Sequence, residues 1–388
     1  MELEQSESIS RLDTNEWDRI AGDDILGTHG WLRVVEENAP GAMRSRYLMV
    51  RSGGKLMGAA VLQSSDHRYE STTLDRLLYG RVAPAARRIG LRAAPALIVG
   101  SRFGMSEPFL IDQALSQVER EQVVEALVSG ILAESERAGA MVIVRNATDA
   151  TPVRALMSAS FQSSPELPTA YLDIKWQTFG AYRSDLKKIH FATEKAIRQE
   201  DNRARRSGLR VERITDASEI TSDMFALLDS HFRRLNGVPL PFGASFLEQA
   251  LIHLGDRATV VVARNSTQLL GVNFGLHHSG CARSMMVGID QTKGRETAAY
   301  FVLLNSLVQR AIEAADKRVY YGRMLYDLKL RRGCSIVHSS MWLRGRSSVH
   351  RTLLRSFIGL RNRRLENIIS PYRKLSDKNA AAMGRSRQ

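Results

Sequence analysis

The chain has 388 residues, of which 44% are hydrophobic, enough for two domains or one large one with a real core, and too apolar for a disordered chain. Its formal charge of +14 favours an anionic partner such as nucleic acid, a phosphorylated cofactor or an acidic membrane face. Its two cysteines, Cys281 and Cys334, exclude a disulfide framework or a cysteine zinc site and fit a reducing compartment.

In chain order, GTHGWLRVVEENAP predicts a helix over Trp31 to Glu37, stopped near Pro40. RYLMVRSGGKLMGAAVL follows as strand, Gly-Gly turn, strand. From about Ser64 to Asp112 no pattern stands out. EREQVVEALVSGILAESERAGA is a long amphipathic helix, MVIVRNA an apolar strand, TPVRALMSASF a second helix and TAYLDIKW another strand. The order then returns. SFLEQALIHLG is a helix and ATVVVARNSTQLLGVNFGL a hairpin. ETAAYFVLLNSLVQRAIEAADK is the long helix, RVYYG the apolar strand, LYDLKLRRG the short helix and SIVHSSMWL the next strand. Leu56-Met57-Gly58 and Leu269-Leu270-Gly271 hold matching places in the two hairpins. Internal similarity over this length points to a duplicated α/β unit.

Between the copies, Tyr182 to Arg213 carries ten Lys or Arg against five Asp or Glu, mostly at helical spacing, with Gly208 as its stop. From Arg344 to Gln388 there are twelve Lys or Arg against only Glu366 and Asp377. The expected organisation is an N-terminal unit over 1–176, a basic bridging helix over 177–213, a C-terminal unit over 214–345, and a basic helix and tail over 346–388, with NAAAMGRSRQ disordered. No apolar run reaches the ~18 residues that span a bilayer. The start MELEQSESIS lacks the basic flank and apolar run of a signal peptide. No integral membrane segment and a cytoplasmic location are expected.

A hairpin, a long helix, then strand, helix, strand resembles the GCN5-related N-acyltransferase (GNAT) fold, and two such units joined by a basic segment resemble its Fem-like branch. AIRQEDNRARRSGLRV is similar to that branch's basic helix, and the Lys329 to Gly333 spacing in GRMLYDLKLRRGC is similar to its late signature. The resemblance implies an α/β fold of tandem GNAT-like units, each a mixed, mostly antiparallel sheet flanked by helices. It implies aminoacyl transfer from charged tRNA to a small or medium-sized amine, forming an amide, in natural-product or peptide-type biosynthesis. No cofactor beyond the aminoacyl-tRNA donor, and no metal, is implied. The alternative is an acyl-CoA-dependent N-acyltransferase, with acetyl-CoA or another acyl-CoA as donor. A non-catalytic binder of nucleic acid or membrane is a third class.

The loop QTKGRE bears on the donor. In the CoA-using branch a loop of this kind lays backbone N–H groups around a pyrophosphate at a helix start. Gln291, Lys293, Gly294 and Arg295 are the candidate donor or phosphate loop, but Glu296 stands where that pattern has a small residue. The loop reads as a degraded CoA site.

Aminoacyl transfer from an ester needs positioning and an oxyanion stabiliser more than a nucleophile. The resemblance places Lys329 at the active site, as the cation for that oxyanion. Asp290, just before the loop, is a candidate base or a turn cap. Asp327 is a candidate for binding an ammonium, or a structural partner of Arg323. One of Tyr320 and Tyr321 faces the core and the other the opposite side. Tyr321 is a candidate general acid, and Tyr326 is a further phenol. His277 and His278 read as an exposed hairpin end. For tRNA, the phosphate contacts are Lys187, Lys188, Lys195, Arg198, Arg203, Arg205, Arg206 and Arg210, with Arg361, Arg363 and Arg364 as a second set.

Overall fold

The acidic N-terminus is a strand: β1 (Glu2–Ser6) pairs antiparallel with β2 (Ser45–Ser52), Glu4 opposite Met49. The chain is seen here in a computed structural model that describes residues 1–39, 44–65 and 68–384. Between those strands lie α1 (Thr14–Ala21) and α2 (His29–Asn38). The Thr28 hydroxyl accepts from the Trp31 N–H and starts α2, while Pro40, its expected stop, lies outside the described residues. The Gly-Gly turn holds: Gly53 and Gly54 both take left-handed φ and lead into β3 (Lys55–Ser65). The stretch without a clear pattern contains α3 (Arg68–Tyr79), α4 (Ala83–Arg88), β4 (Ala96–Val99) and β5 (Phe109–Ile111). The long helix α5 (Gln117–Ala138) opens on a capping box between Ser116 and Glu119 and stops at left-handed Gly139. β6 (Met141–Ala147), α6 (Ala150–Ser158) and β7 (Gln162–Pro165) follow.

The second series begins with β8 (Thr169–Asp173), α7 (Phe179–Ile189), α8 (Phe191–Arg206) and β9 (Arg210–Ile214). It continues through α9 (Ser222–Asn236), α10 (Phe246–Leu254), β10 (Ala258–Arg264), β11 (Leu269–His278) and β12 (Cys281–Ile289). Then come the one-turn α11 (Lys293–Glu296), the long α12 (Ala299–Glu313), β13 (Arg318–Gly322), α13 (Tyr326–Arg331) and β14 (Ser335–Val337). β15 (Ser340–Arg344) and α14 (Ser348–Gly384) end the chain.

The two sheets repeat one plan. The first runs β1-β2-β3-β4-β6-β15-β7, with β5 also against β3; the second runs β9-β10-β11-β12-β13-β8-β14. Each holds one parallel pair, β4 with β6 and β12 with β13. The remaining pairs are antiparallel. Fold class is as the sequence implied. The sixth strand of each sheet, however, comes from the other half of the sequence: β15 lies between β6 and β7, and β8 between β13 and β14. The compact units are therefore Met1–Leu167 with His338–Ile369, and Pro168–Val337 with Ser370–Gln388. They differ from the expected 1–176 and 214–345: TAYLDIKW and SMWLR each serve the other copy, and the bridging segment belongs to the second unit.

The matching glycines of the two hairpins now have one physical reason. A Cβ on Gly58 would meet Val123 of α5 at 2.6 Å, and one on Gly271 would meet Leu303 of α12 at 2.9 Å. In both units the long helix packs on the sheet over the bare backbone at this point. The first core joins α5 to β2, β3 and β6 through Leu48, Leu62, Val123, Leu127 and Val142. Its counterpart joins α12 to β10, β11 and β12 through Val261, Leu270, Ile289 and Leu303. Burial of such side chains contributes roughly 1.5–3 kcal/mol each.

The C-terminal expectation needs correction. NAAAMG continues α14 as far as Gly384, and only 385–388 lie outside the described residues. Asn379 is fully buried and its Nδ2 donates to Leu330 O at 2.7 Å and Cys334 O at 2.6 Å. Those carbonyls close the end of α13, so the tail has a reason to be ordered. Among the described residues no helix is long and apolar enough to cross a membrane.

Candidate active site

The end of β13 and the segment after it hold several buried titratable side chains of the second unit, among them Tyr326, Lys329, Arg332 and Cys334, beside the partly buried Tyr321. The turn between them is strained. Gly322 takes φ 69°, and the next left-handed residues, Met324 at 70° and Leu325 at 53°, have side chains. Each such residue costs about 1–2 kcal/mol. Lys329 offsets this. It is 4% exposed, and its Nζ donates to the carbonyls of Tyr321 at 2.8 Å, Gly322 at 3.2 Å and Arg323 at 3.1 Å. Burial lowers its pKa to about 8, while the three carbonyls favour the ammonium. All three N–H donors are committed to the turn. The sequence reading had this cation facing an oxyanion; the structure has it organising the backbone that presents Tyr321.

Around that turn stand three phenols, a thiol and a guanidinium. Tyr182 of α7 donates its hydroxyl to Arg332 O at 2.9 Å. Tyr300, in the first turn of α12, and Tyr321, on β13, have hydroxyls bonded to no other described residue. Burial pushes Tyr300 up to about 12 and Tyr321 well above its usual value. Both are proton donors at any working pH. Burial likewise raises Cys334 to about 12, so it is a neutral thiol and a poor nucleophile.

Arg332 joins this cluster to α8. Its guanidinium donates to Glu200 Oε2 and to Asn305 Oδ1, each at 2.6 Å, and lies over the Phe301 ring at 5.2 Å. Arg332 is 6% exposed and Glu200 9%. Burial raises the Glu200 carboxyl, against the pull of that guanidinium. Arg332 Nε and Asn305 Nδ2 are buried without a partner among the described residues.

The donor loop is built differently from an anion cradle. Asp290 Oδ1 accepts from the backbone N–H groups of Thr292 at 3.0 Å, Lys293 at 2.7 Å and Gly294 at 3.4 Å. The chain's own carboxylate thus occupies the donors that a pyrophosphate would need. Gln291 donates to Ile289 O at 2.8 Å and approaches His231 Nδ1 at 3.2 Å. Lys293 Nζ donates to Gln268. Gly294 is buried, and a Cβ there would strike Ile289 at 2.7 Å and Leu270 O at 2.9 Å. Arg295 and Glu296 are exposed. Asp290 is a turn cap in this structure, the alternative role the sequence allowed.

The other candidates separate. Asp327 is exposed in the first turn of α13 and pairs with no described residue. Tyr326 is buried and donates to Pro168 O at 2.7 Å, a packing role. Tyr320 lies between Arg283 and Arg318, on the opposite face of the sheet from Tyr321. His277, expected at a solvent-facing hairpin end, keeps 41% of its side chain exposed, and its Nε2 also lies 2.5 Å from the buried Asp316 Oδ1.

The basic bridging helix is two helices, α7 and α8, broken at His190. On α8 the acids turn inward: Glu194 and Glu200 are buried with Ile197 and Ala204. Glu194 is bound by Arg183 at 2.8 Å and Arg198 at 3.4 Å, and the Arg183 bond chiefly lowers its pKa. Asp185 takes Lys188 at 2.9 Å. Lys187, Lys188, Lys195, Arg198, Arg203, Arg205, Arg206 and Arg210 are all exposed. The alternation of sign in the sequence therefore resolves into an acidic inner and a basic outer face. In the first unit's part of α14, Arg363 and Arg364 are exposed. Arg361 is not a free surface cation: it donates to the Ser164 hydroxyl, to Pro165 O at 2.7 Å and to Leu77 O at 3.2 Å.

Sequence reasoning missed Tyr300, Glu200, Asn305 and Asn379. Glu200 carried one signal, since with Glu194, Ile197 and Ala204 it falls on the buried stripe of α8.

Comparison with known proteins agrees with this geometry. Residues 192–330 match the family model described as an acetyltransferase (GNAT) domain. FemX aligns with a TM-score of 0.57 and 11% identity, over 88% of this chain and 97% of that one. The C-terminal domain of a putative lysylphosphatidylglycerol synthetase from Agrobacterium fabrum aligns with a TM-score of 0.54 and 11% identity, over 91% and 97%. At that identity the likeness is one of fold. No curated protein matches the chain by sequence. The second unit carries a GNAT-type acyltransferase domain. In its doubled build the chain is similar in fold to FemX.

Proposed function

We propose that this acyltransferase moves an aminoacyl group from charged tRNA to a small or medium-sized amine and forms an amide. The observation that carries this reading is the Asp290 carboxylate seated on the N–H groups of Thr292, Lys293 and Gly294. A CoA-dependent enzyme needs those donors for its pyrophosphate; a donor held by its polynucleotide does not. The basic outer face of α8 supports the same reading, because it offers exposed cations in a row to phosphates. Arg363 and Arg364 are a second set; Arg361 drops out as a phosphate ligand because its donors are already engaged.

In the proposed reaction the acceptor amine attacks the ester carbonyl, the carbon–oxygen bond to the ribose breaks, and the ribose hydroxyl leaves with a proton. Tyr321 and Tyr300 supply O–H donors to the oxyanion of the tetrahedral intermediate, a contribution on the order of 3 kcal/mol per donor. Lys329 is a positioning residue that holds the Tyr321 turn. Asp327, exposed and unpaired at that turn, takes the amine's proton. No nucleophilic residue is needed, in keeping with the neutral thiol of Cys334.

One observation favours the acyl-CoA reading, the match of residues 192–330 to an acetyltransferase family model. Binding separates the two. Affinity for aminoacyl-tRNA should fall steeply as salt rises from about 50 to 200 mM, with CoA not competing. Affinity that is flat in salt, or CoA displacing the tRNA, contradicts the proposal.

A further inference from the structure

Between α12 and the sheet of the second unit lies a cavity of about 260 Å³, away from the Asp290 loop and at the other end of β12. A single water needs roughly 10–15 Å³ on this measure, so the space admits an organic molecule. Its apolar wall includes Val261, Leu276 and Ala282 of the sheet and Leu307 and Ala311 of α12. Ala282, Leu307 and Ala311 also form, with Val319, the cluster on which Tyr321 packs, so the cavity shares a wall with the candidate active site.

The polar lining is unusual for a core. Thr259 and Asn273 sit on the sheet at 7% and 3% exposure and line the cavity. The Thr259 hydroxyl is bonded to no described residue. Asn273 accepts from Ser284 at 3.0 Å, and its Nδ2 has no bond to a described residue. Both residues line the cavity, where a ligand group of matching donor or acceptor character can meet them. Arg310 of α12 and Arg213 of β9 also line the cavity. Neither makes an ion pair with a described residue. Arg310 is half-buried; burial lowers its pKa and the nearby Arg213 cation lowers it further. Two carboxylates, Glu313 and Asp316, act on Arg310 in the opposite sense. Glu313 accepts from Gln309, Asp316 is engaged by His277, and Asp256 is exposed, so in the lining the two guanidiniums face one buried acid, Asp316.

We propose that this cavity is a second ligand site, for a small molecule whose carboxylate or phosphate oxyanion lies between Arg213 and Arg310 and whose body meets Thr259 and Asn273. Two guanidiniums chelate an oxyanion, and the unmet hydroxyl and amide supply the polar contact deeper in. The site does not depend on which acyl donor the enzyme uses.

Calorimetric titration of the full-length protein with glutarate and, separately, with glycerol 3-phosphate tests it. Saturable binding of either is expected, and which one binds distinguishes carboxylate from phosphate. Arg310→Gln should weaken binding about tenfold or more, the loss of one charge-assisted contact. Thr259→Val should weaken it several-fold while leaving the melting temperature equal or higher, since the hydroxyl it removes bonds to no described residue. That variant keeps the test valid should Arg310→Gln fold poorly. No saturable binding of either probe, or binding unchanged by both substitutions, overturns the proposal.

Discussion

Glu200 of α8 and Arg332 after α13 meet at 2.6 Å with both side chains nearly out of solvent. This pair ties the helix that carries the basic face to the turn that carries Tyr321 and Lys329. Removing one partner strands the other as a buried charge. Glu200→Ala should therefore cost about 3 kcal/mol in chemical denaturation, and Glu200→Ala with Arg332→Met should recover much of that loss. A cost under about 0.5 kcal/mol, the size of an exposed pair, contradicts the burial described here.

Lys329 gives a pH dependence with a definite sign. Its folded pKa is about 8, depressed from 10.5 by burial. Above 10.5 both states hold the neutral amine and its full contribution is present. As pH falls from 10.5 to 8 the unfolded chain takes up a proton that the folded chain does not, so stability declines; below 8 it levels off. The stability difference between wild type and Lys329→Met should thus rise from pH 8 to 10.5, by at most about 3 kcal/mol. A difference that stays flat over that window means the ammonium is not desolvated.

The Asp290 cap makes the donor question accessible to mutation. Asp290→Ala with Glu296→Ala frees the N–H groups of Thr292, Lys293 and Gly294 and removes an exposed charge beside them. It should lower stability by about 1 kcal/mol, the cost of a missing cap, and gain weak CoA binding that wild type lacks. Equal CoA affinity in the two proteins contradicts the reading of this loop.

On the basic face, Arg203→Glu with Arg206→Glu should weaken tRNA binding at least about tenfold and flatten its salt slope by up to about 2, one unit for each phosphate left without its arginine. Arg361→Ala is the contrast. It should lower the melting temperature of the first unit and leave the salt slope alone, because its donors serve Ser164, Pro165 and Leu77. An altered slope in Arg361→Ala would return that residue to the interface.

Much of the fold was legible because its signals are local. The hairpins at Gly53-Gly54 and Asn265–Gln268, the capped α5 and the apolar β6 and β13 follow from turn chemistry and periodicity. The repeat showed through Gly58 and Gly271 because one packing constraint acts on both. The strand exchange was not legible. TAYLDIKW and SMWLR are both apolar strands at the end of a copy, and nothing in their own residues says which sheet each enters. The order of Asn379 was hidden because it depends on the carbonyls of Leu330 and Cys334, the nearer of them 45 residues away. The site was half legible. Lys329 and Tyr321 stood in a conspicuous stretch, but the commitment of Lys329's three donors follows from the left-handed turn at Met324 and Leu325, which no residue type announces. Glu200 read as one acid among many bases until α8's inward face was known.

The most direct measurement is of product. The full-length protein is incubated with a pool of charged tRNAs and a set of small amines, beside an identical reaction pretreated with ribonuclease and another supplied with acetyl-CoA in place of tRNA, and amides are read by mass. The account predicts aminoacyl amides that vanish with ribonuclease and fall at least about 100-fold when Tyr321→Phe removes an oxyanion donor. Acetylated amines in the CoA reaction, with no aminoacyl product from the intact tRNA pool, would contradict it.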